Sequence, residues 1–194
     1  MRLLGTIKLV QVQRDRLKRG EKPDRTYETA PLLPVQALRL TPTGVIGLAG
    51  EGIEVIDVHN AMHPNTRNRD NANSVSIGFV TNYDRMRQRF GEHLFDGCAG
   101  ENLIIEQSDD FSMSHIDSRL VIEQTTGEQI RLFDVGVIPP CAEFSAFCAQ
   151  QRIGGEELRL ALQFLADGTR GFYATLEPQQ GQPVIQPGDR LYAV

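Results

Sequence analysis

The sequence lacks the features that mark several large classes of protein. It has no basic excess, since its formal net charge is −5, and general nucleic-acid binding is therefore not expected. No uninterrupted apolar run approaches the length of a membrane span. The opening stretch MRLLGTIKLV contains Lys8 and is followed by no small-residue cleavage site, so it does not resemble a secretory signal. These absences predict a cytoplasmic protein with no nucleic-acid or membrane partner.

Cysteine is scarce, and its placement raises the first functional question. Three cysteines in a cytoplasmic chain do not make a disulfide framework, and the spacing of Cys141 and Cys148 fits neither a zinc pair nor a CxxC redox pair. Cys141 directly follows two prolines in GVIPPCAEF. It is a small buried hydrophobe, half of a disulfide, or a ligand or nucleophile held in a fixed position. The residues alone favour the buried hydrophobe and disfavour the disulfide.

Basic residues are concentrated near the start of the chain. Residues 1–40 contain nine Lys or Arg and four Asp or Glu, although the whole chain is acidic. Such a cluster attracts a phosphate or an acidic partner, or it forms a solvated loop or hairpin tip, which the sequence favours. The cluster consists of Arg14, Arg16, Lys18, Arg19, Lys22 and Arg25.

Short β-branched runs separated by Pro and Gly predict strands over most of the 194 residues. One helix is predicted in TNYDRMRQRFGEHL, with a capping box of Thr81 and Asp84 at its start and Gly91 at its end. A second is predicted in GGEELRLALQFLADG, with Gly168 at the C′ position. The sequence thus predicts a single, mainly β domain with a few helices, arranged as a barrel or a sandwich.

Three short stretches combine polar side chains with glycine or a tight loop. Gly100, Glu101 and Asn102 stand where an apolar strand begins, and they either grip a heterocycle or lock a neighbouring loop. Asp57 and His59 lie close to His63, but the stretch lacks the Glu of a helical zinc motif, so local hydrogen bonding is favoured over a metal site.

The third stretch is GTRGFYA, in which Arg170 lies between Gly168 and Gly171 and precedes two aromatic residues. An arginine on such a turn binds a phosphate or carboxylate group through two N–H groups, or it forms a salt bridge that closes the turn over buried aromatic rings. The residues leave both alternatives open.

Taken together and in order, these stretches resemble the MOSC domain, which is named for the C-terminal part of molybdenum-cofactor sulfurases. The similar blocks are GIEVIDVH, GCAGENL, PPC, RGFYA and GQPVIQPGD, and they span roughly residues 52–194. The resemblance implies a single MOSC-type β-barrel (pyruvate-kinase-barrel-like) over residues 1–194. Residues 1–50 would then supply leading strands and a basic loop.

The resemblance also implies a function that involves the molybdenum cofactor (molybdopterin). In the family, the cysteine at the position of Cys141 is thought to carry sulfur or to ligate molybdenum, and thiolate suits both roles. Some stand-alone members reduce N-hydroxylated bases and similar N-oxygenated compounds, which needs an electron-donating reductase as partner. The residues expected around the cofactor or substrate are Asp57, His59, Arg67, Arg69, Gly100, Glu101, Asn102 and Arg170.

The sequence departs from the family pattern at a few positions, and other functions remain open. Pro139 stands where many relatives have Arg, so Arg67, Arg69 and Arg170 are candidates for the cationic contact, and Ile56 stands where relatives often have Gly. A second hypothesis is a sulfur-carrier or cofactor-binding module, and a third is a degenerate domain that acts through protein contacts. The sequence shows no flavin, haem or iron–sulfur motif, and no pyridoxal-phosphate site is expected.

Overall fold

Strands make up most of the chain in the computed structural model, which describes residues 1–68, 75–107, 113–178 and 180–194. The helices are α1 (Val80–Phe90), α2 (Ala142–Cys148) and α3 (Gly155–Leu165), with a short 3-10 turn at Met113–His115. The strands are β1 (Arg2–Gln13), β2 (Lys18–Arg19), β3 (Thr26–Tyr27), β4 (Leu32–Pro34), β5 (Ala37–Thr41), β6 (Gly44–Leu48), β7 (Glu54–Ile56), β8 (Val75–Phe79), β9 (Leu103–Gln107), β10 (Leu120–Glu123), β11 (Gln129–Val137), β12 (Phe172–Leu176), β13 (Val184–Ile185) and β14 (Arg190–Ala193).

Seven strands close into a barrel, as expected from the mainly β sequence. Their order is β14-β10-β11-β12-β8-β9-β1, and β1 pairs back onto β14. Neighbouring strands are antiparallel except β8 and β9, which run parallel and are joined by a crossover that contains α1. Closure removes the exposed sheet edges that an open sheet would leave. The fold class predicted from the sequence is therefore confirmed.

The long strand β1 reaches several parts of the fold because it is kinked. Its register shifts between Leu3 and Gly5 and again between Ile7 and Leu9. A Cβ on Gly5 would lie 2.3 Å from the carbonyl oxygen of Glu106, so only glycine allows this approach to β9. The far end of β1 leaves the barrel and pairs with β4. A second sheet, in the order β13-β5-β6-β7, lies beside the barrel, and β2 and β3 form a separate hairpin.

Two hydrophobic cores follow from this arrangement. Inside the barrel, inward-facing aliphatic residues such as Leu4, Ile7 and Ile77 form the first core. The second core lies between the barrel and the helices and is richer in aromatic and sulfur-containing residues. It includes Leu17, Tyr27, Tyr83, Met86, Leu94, Cys98, Phe144, Cys148 and Leu165. The candidate site borders this second core.

The start of α1 differs from the sequence prediction. The helix begins at Val80, directly after β8, and Phe79 occupies the N-cap without a side-chain cap. The predicted capping box of Thr81 and Asp84 is therefore wrong, because the barrel strand fixes where the helix starts. The backbone N–H of Thr81 donates instead to the side-chain oxygen of Gln107, at 3.2 Å. The predicted end at Gly91 is confirmed.

Helices α2 and α3 also differ from the sequence prediction. Helix α2 was not predicted, because its seven residues are too few for a clear periodic pattern. Helix α3 lies where the leucine pattern placed it, but Ala166 is its C-cap and Asp167 takes the C′ position. Gly168 stands one residue further on, where a Cβ would lie 2.4 Å from the ring of Phe172. Among the described residues, no helix is long and apolar enough to cross a membrane.

Candidate functional site

Cys141 is held on both sides by regular structure. Just before the two prolines, the backbone N–H of Ile138 donates to the carbonyl oxygen of Gly171 at 2.9 Å, which continues the pairing of β11 with β12. Cys141 itself is the extended N-cap of α2. Its carbonyl oxygen accepts from the N–H of Ser145 at 3.0 Å and from the hydroxyl of Ser145 at 2.9 Å. The prolines therefore connect two anchored segments and limit the motion of the thiol.

The three thiols lie in different environments, although all are free. Cys98 and Cys148 are fully buried, whereas Cys141 is partly exposed. Burial raises the pKa of the Cys148 thiol to about 12 and raises the pKa of the Cys98 thiol further still. A thiol that stays protonated is a poor nucleophile and a poor metal ligand. Cys141 is therefore the cysteine with access to a ligand.

Cys141 lines a cavity of about 320 Å³, here called the thiol cavity. The cavity lies between the β2–β3 hairpin, the segment around residues 57–67 and the start of α2. Five cationic side chains line it, and the described residues contribute no carboxylate to its wall. The residues that line it are Gln13, Arg16, Leu17, Lys18, Gly20, Arg25, Tyr27, Val58, His59, Asn65, Arg67, Ala99, Ile138, Pro139, Cys141 and Arg170. Three of the cations pair with carboxylates outside the wall, Lys18 and Arg25 with Glu143 and Arg170 with Glu101. Arg16 and Arg67 make no ion pair with the described residues, and their positive charge favours an anion.

A smaller cavity of about 190 Å³ shares part of this wall. Gln13, His59, Ile138 and Arg170 line both spaces. The other residues around the smaller cavity are Ser76, Gly100, Glu101, Asn102 and Tyr173. Of the sequence-predicted residues, His59 and Arg170 line both cavities, and Asp57 lines neither. Cys141 and Arg67 line only the thiol cavity, and Gly100, Glu101 and Asn102 line only the smaller one. A third cavity, of about 560 Å³, lies beyond the hairpin and shares Arg25 and Tyr27 with the thiol cavity.

Arg170 is fixed by contacts on three sides. Its Nη1 donates to Oε1 of Glu101 at 3.0 Å, and its Nη2 donates to the carbonyl oxygen of Ala99. The guanidinium carbon lies 4.7 Å from the ring centre of Phe144 in α2. Burial opposes the charge of Arg170, but the carboxylate of Glu101 outweighs it and raises the pKa. Only 12% of this side chain is exposed, so its charge has a defined position.

Glu101 acts behind the cavity rather than as a free ligand. Its second oxygen accepts from the hydroxyl of Tyr83 at 2.5 Å, and that hydroxyl accepts from the N–H of Ala99 at 3.2 Å. Burial raises the pKa of Glu101, and burial together with the nearby carboxylate raises the pKa of Tyr83. The chain Tyr83–Glu101–Arg170 therefore locks the loop before β9 against the turn after α3.

Asn102 is similarly engaged within the protein. Its side-chain oxygen accepts from the N–H and the hydroxyl of Ser76, at 3.1 and 2.9 Å. Its amide nitrogen donates to the carbonyl oxygen of Gln11 at 3.2 Å and to Oδ2 of Asp57 at 3.0 Å. These contacts use the full hydrogen-bonding capacity of the amide. Asn102 therefore ties β1, β8 and the segment of Asp57 together.

Gly100, which directly precedes Glu101 and Asn102, occupies a position that favours glycine. Its φ is +95°, and a Cβ at this position would lie 2.6 Å from Nε2 of Gln13. That nitrogen donates to the carbonyl oxygen of Gly100 at 2.7 Å. Gln11 makes equivalent bonds to the carbonyl oxygens of Gly97 and Glu101, both at 2.8 Å. The two glutamines of β1 thus bind the loop of residues 97–101, here called the glycine loop, to the barrel.

Asp57 and His59 form a pair at the boundary of both cavities. Asp57 is fully buried, and its Oδ1 lies 3.0 Å from Nδ1 of His59. Burial raises the pKa of Asp57, but hydrogen bonds from His59 and from backbone N–H groups outweigh this and lower it. The ring of His59 is about half exposed, at 48%. Asp57 thus lies behind His59 rather than in the cavity wall.

The remaining candidates are placed as follows. Arg67 is exposed and lines the thiol cavity, whereas Arg69 lies outside the described residues. His63 has both ring nitrogens within 3.1 Å of backbone partners, the oxygen of Arg14 and the N–H of Asn65. Among the described residues, no group of three or more His, Cys, Asp or Glu side chains could hold a metal ion. The local hydrogen-bonding role predicted for His63 is therefore observed.

Part of the basic cluster lines the thiol cavity, a contact that the sequence did not predict. Arg16 donates through Nε and Nη2 to the carbonyl oxygen of Asn65, at 2.9 and 2.7 Å. Nζ of Lys18 lies 3.6 Å from Oε2 of Glu143, and Nε of Arg25 donates to Oε1 of the same carboxylate at 2.6 Å. The concentration of charge between residues 14 and 25 was the signal in the sequence. Its contact with the site depends on how the hairpin packs on α2.

Comparison with known proteins identifies the fold. No family model matches the sequence, and a search of curated proteins finds no significant match. The YuaD protein from Bacillus subtilis has a similar structure, with a TM-score of 0.58 over 98% of this chain and 96% of that chain, at 12% identity. YiiM from Geobacillus stearothermophilus gives 0.55 over 97% of this chain and 74% of that chain, at 16% identity. A crystal structure titled only as a hypothetical protein gives 0.56, over 99% and 69%, at 14% identity. These likenesses concern the fold alone, and they agree with the closed, mainly β barrel of this chain.

Proposed function

We propose that this chain is a MOSC-type protein that holds the molybdenum cofactor through Cys141 and supports reduction of N-hydroxylated or other N-oxygenated compounds. The observation that carries the proposal is the composition of the thiol cavity. A partly exposed thiol and five cationic side chains share one wall, to which the described residues add no carboxylate. The motif resemblance around Cys141, Asn102 and Arg170 supports the same function.

The residues present fit such a cofactor in three respects. Thiolate is a soft ligand of the kind that suits a transition metal in a sulfur-rich site. The cationic wall suits the phosphate group of molybdopterin. The volume of about 320 Å³ lies within the usual range of ligand pockets, about 300–1,000 Å³. Because molybdopterin brings its own sulfur ligands to the metal, a single protein thiolate is sufficient.

The chain's own residues would divide the work between binding and support. Cys141 would ligate the metal, and Arg67 would meet the phosphate together with Arg16 and Lys18 from the basic cluster. Arg16, just before the hairpin, and Lys18, within it, would provide the positive charge that Pro139 does not. Arg170 would meet the phosphate or the substrate, because Glu101 and Ala99 take only part of its five N–H donors. When bound, the cofactor supplies the redox chemistry, with electrons from a partner reductase.

A sulfur-carrier function is a second candidate, and the exposure of Cys141 favours it. Of the three thiols, this one is partly exposed and opens into a cationic cavity. A persulfide on Cys141 would be accessible to a partner without any movement of the barrel. Both functions require Cys141, so loss of ligand in a cysteine variant does not separate them, whereas redox turnover does.

Turnover of an N-hydroxylated base, with a reduced viologen dye as electron donor, tests the proposal. The protein is purified from a host that makes the cofactor, beside Cys141→Ser and a control variant, Cys148→Ala, which alters a buried thiol of the same helix. We expect turnover in the parent and in the control and none in Cys141→Ser. Turnover that survives in Cys141→Ser would contradict the proposed role of the thiol. No turnover in a parent that carries persulfide on Cys141 would favour the carrier.

A further inference from the structure

We propose that His59, oriented by Asp57, is the residue that delivers a proton to the substrate in the thiol cavity. This inference rests on the proposed function, and it adds a catalytic residue and a positioning residue to it. Oδ2 of Asp57 accepts from the N–H of Gln13 at 2.7 Å and from the amide of Asn102 at 3.0 Å. Oδ1 accepts from the backbone N–H of His59 at 2.8 Å.

Because these partners are donors, they hold Asp57 as an ionised group that can only accept. The ring nitrogen Nδ1 of His59, 3.0 Å from Oδ1, must therefore carry a hydrogen. A carboxylate that fixes a histidine tautomer in this way leaves the other ring nitrogen, Nε2, for chemistry. In the described part of the chain, Nε2 of His59 makes no hydrogen bond.

The other histidines differ from His59 in position and in bonding. The ring nitrogens of His63 and His93 both have partners within the protein. His115 lies beside the two chain ends, away from the thiol cavity. His59 lines both the thiol cavity and the smaller cavity, so a substrate near Cys141 has this ring as a neighbour.

The chemistry of the proposed reaction requires such a group. Reduction of an N-hydroxylated compound follows R–NHOH + 2e⁻ + 2H⁺ → R–NH₂ + H₂O, in which the N–O bond breaks. We assign one proton to Nε2–H of protonated His59, which passes it to the departing hydroxyl oxygen, so that water leaves. The second proton comes from solvent and forms the new N–H bond, and both electrons come from the partner reductase. The exposed edge of His59 then regains its proton from solvent.

Charged and titratable groups around the ring set the conditions for this step. Those that share the thiol cavity with His59 are Arg16, Lys18, Arg25, Arg67, Cys141 and Arg170. In the smaller cavity, Glu101 and Tyr173 face the same ring. Glu101 is already bonded to Tyr83 and Arg170, so it is a poorer proton donor than His59.

The first test reads the tautomer of His59 by imidazole ¹⁵N NMR and needs no cofactor. We expect the neutral ring of the parent to carry its hydrogen on Nδ1, and we expect Asp57→Asn to shift the ring toward the other tautomer. A parent ring with its hydrogen on Nε2, or a tautomer unaffected by Asp57→Asn, would overturn the assignment. Asp57 is buried, so His59→Gln, at a half-exposed position, serves as the variant that is expected to fold.

The second test measures molybdenum content and turnover against pH in the parent, His59→Gln and the control His93→Gln. We expect His59→Gln to keep its molybdenum and to lose about 10²- to 10⁴-fold in turnover. Because the N–O bond cleavage needs a general acid, the parent rate should fall as pH rises, and His59→Gln should lack this dependence. Equal turnover and equal pH profiles would overturn the inference. A parent without molybdenum would overturn the proposed function and the reduction step, and the NMR result would still decide whether Asp57 orients His59.

Discussion

The thiol cavity has two walls that are built on different principles. On the inner wall, Arg170 is bonded to Glu101 and Ala99 and is only 12% exposed, and Asp57 lies fully buried behind His59. On the outer wall, Lys18 is 39% exposed and Arg67 lies on the surface. Removing one partner of a buried, hydrogen-bonded ion pair lowers the stability of a protein strongly, whereas removing one partner of an exposed pair lowers it little. The inner wall therefore fixes geometry, and the outer wall supplies charge.

The largest expected effect concerns the inner wall. Substitution Glu101→Gln removes the carboxylate that neutralises buried Arg170, so we expect a loss of about 3–5 kcal/mol in the free energy of unfolding. Urea denaturation measures it. The matched control is Glu54→Gln, because Glu54 is 46% exposed and its partner Arg39 is 28% exposed, and we expect a loss of less than about 1 kcal/mol. Equal losses in the two variants would contradict the distinction between buried and exposed pairs.

A smaller effect is expected where the glycine loop meets β1. Gly100→Ala places a Cβ at positive φ and 2.6 Å from Nε2 of Gln13, so a loss of about 1–3 kcal/mol is expected. Gly127 also has a positive φ, but a Cβ there would meet nothing within 4 Å. Gly127→Ala therefore isolates the effect of the backbone conformation. Thermal and urea unfolding measure the two losses. Equal losses of unfolding free energy in the two variants would contradict a contribution from the close contact with Gln13.

Glu143 links the outer wall to α2 and gives a pH-dependent prediction. Burial raises its pKa, but hydrogen bonds from its own backbone N–H and from Arg25, with help from Lys18, lower it from 4.5 to about 2. A lowered pKa stabilises the folded state above pH 4.5, and this contribution is lost as pH falls toward 2. We expect about 1–2 kcal/mol after solvent screening. The parent should lose stability more steeply than Glu143→Gln between pH 5 and pH 2, and parallel curves would contradict the ion pairing.

The smallest effect is expected at the outermost cation. Arg67 makes no ion pair with the described residues, so Arg67→Gln should leave the unfolding free energy unchanged. It should weaken binding of inorganic phosphate about two- to fivefold, because an exposed charge contributes less than about 1 kcal/mol. Isothermal titration at low salt measures the affinity, with Arg119→Gln as a control away from the cavity. A larger loss in the control would show that overall charge, not the cavity, attracts the anion.

The sequence predicted the barrel better than the helices that cover it. Short alternating runs and turn residues mark strands locally, so β1, β9 and β12 lie where the pattern placed them. Helix α2 depends on long-range packing instead, since Phe144 contacts Tyr27 of the hairpin and Arg170 after α3. The start of α1 was wrong for the same reason, because β8 fixes the position of Val80.

The sequence singled out several residues that the fold brings together, whereas their roles in binding or chemistry stay predictions. Cys141, His59, Arg67 and Arg170 line one cavity, as residues with shared chemistry were expected to do. The sequence could not show that the polar groups of Glu101 and Asn102 form hydrogen bonds within the protein. It also could not show that the hairpin brings Lys18 and Arg25 to the same cavity, because their contact with Glu143 joins segments more than 100 residues apart.

Molybdenum content, measured by mass spectrometry, tests the central claim most directly. The protein is purified from a host that makes the cofactor, beside Cys141→Ser and the control Cys148→Ala. The account predicts near-stoichiometric molybdenum in the parent and in the control, and little in Cys141→Ser. No molybdenum in the parent, or equal amounts in the parent and in Cys141→Ser, would contradict the assignment of Cys141 as the ligand.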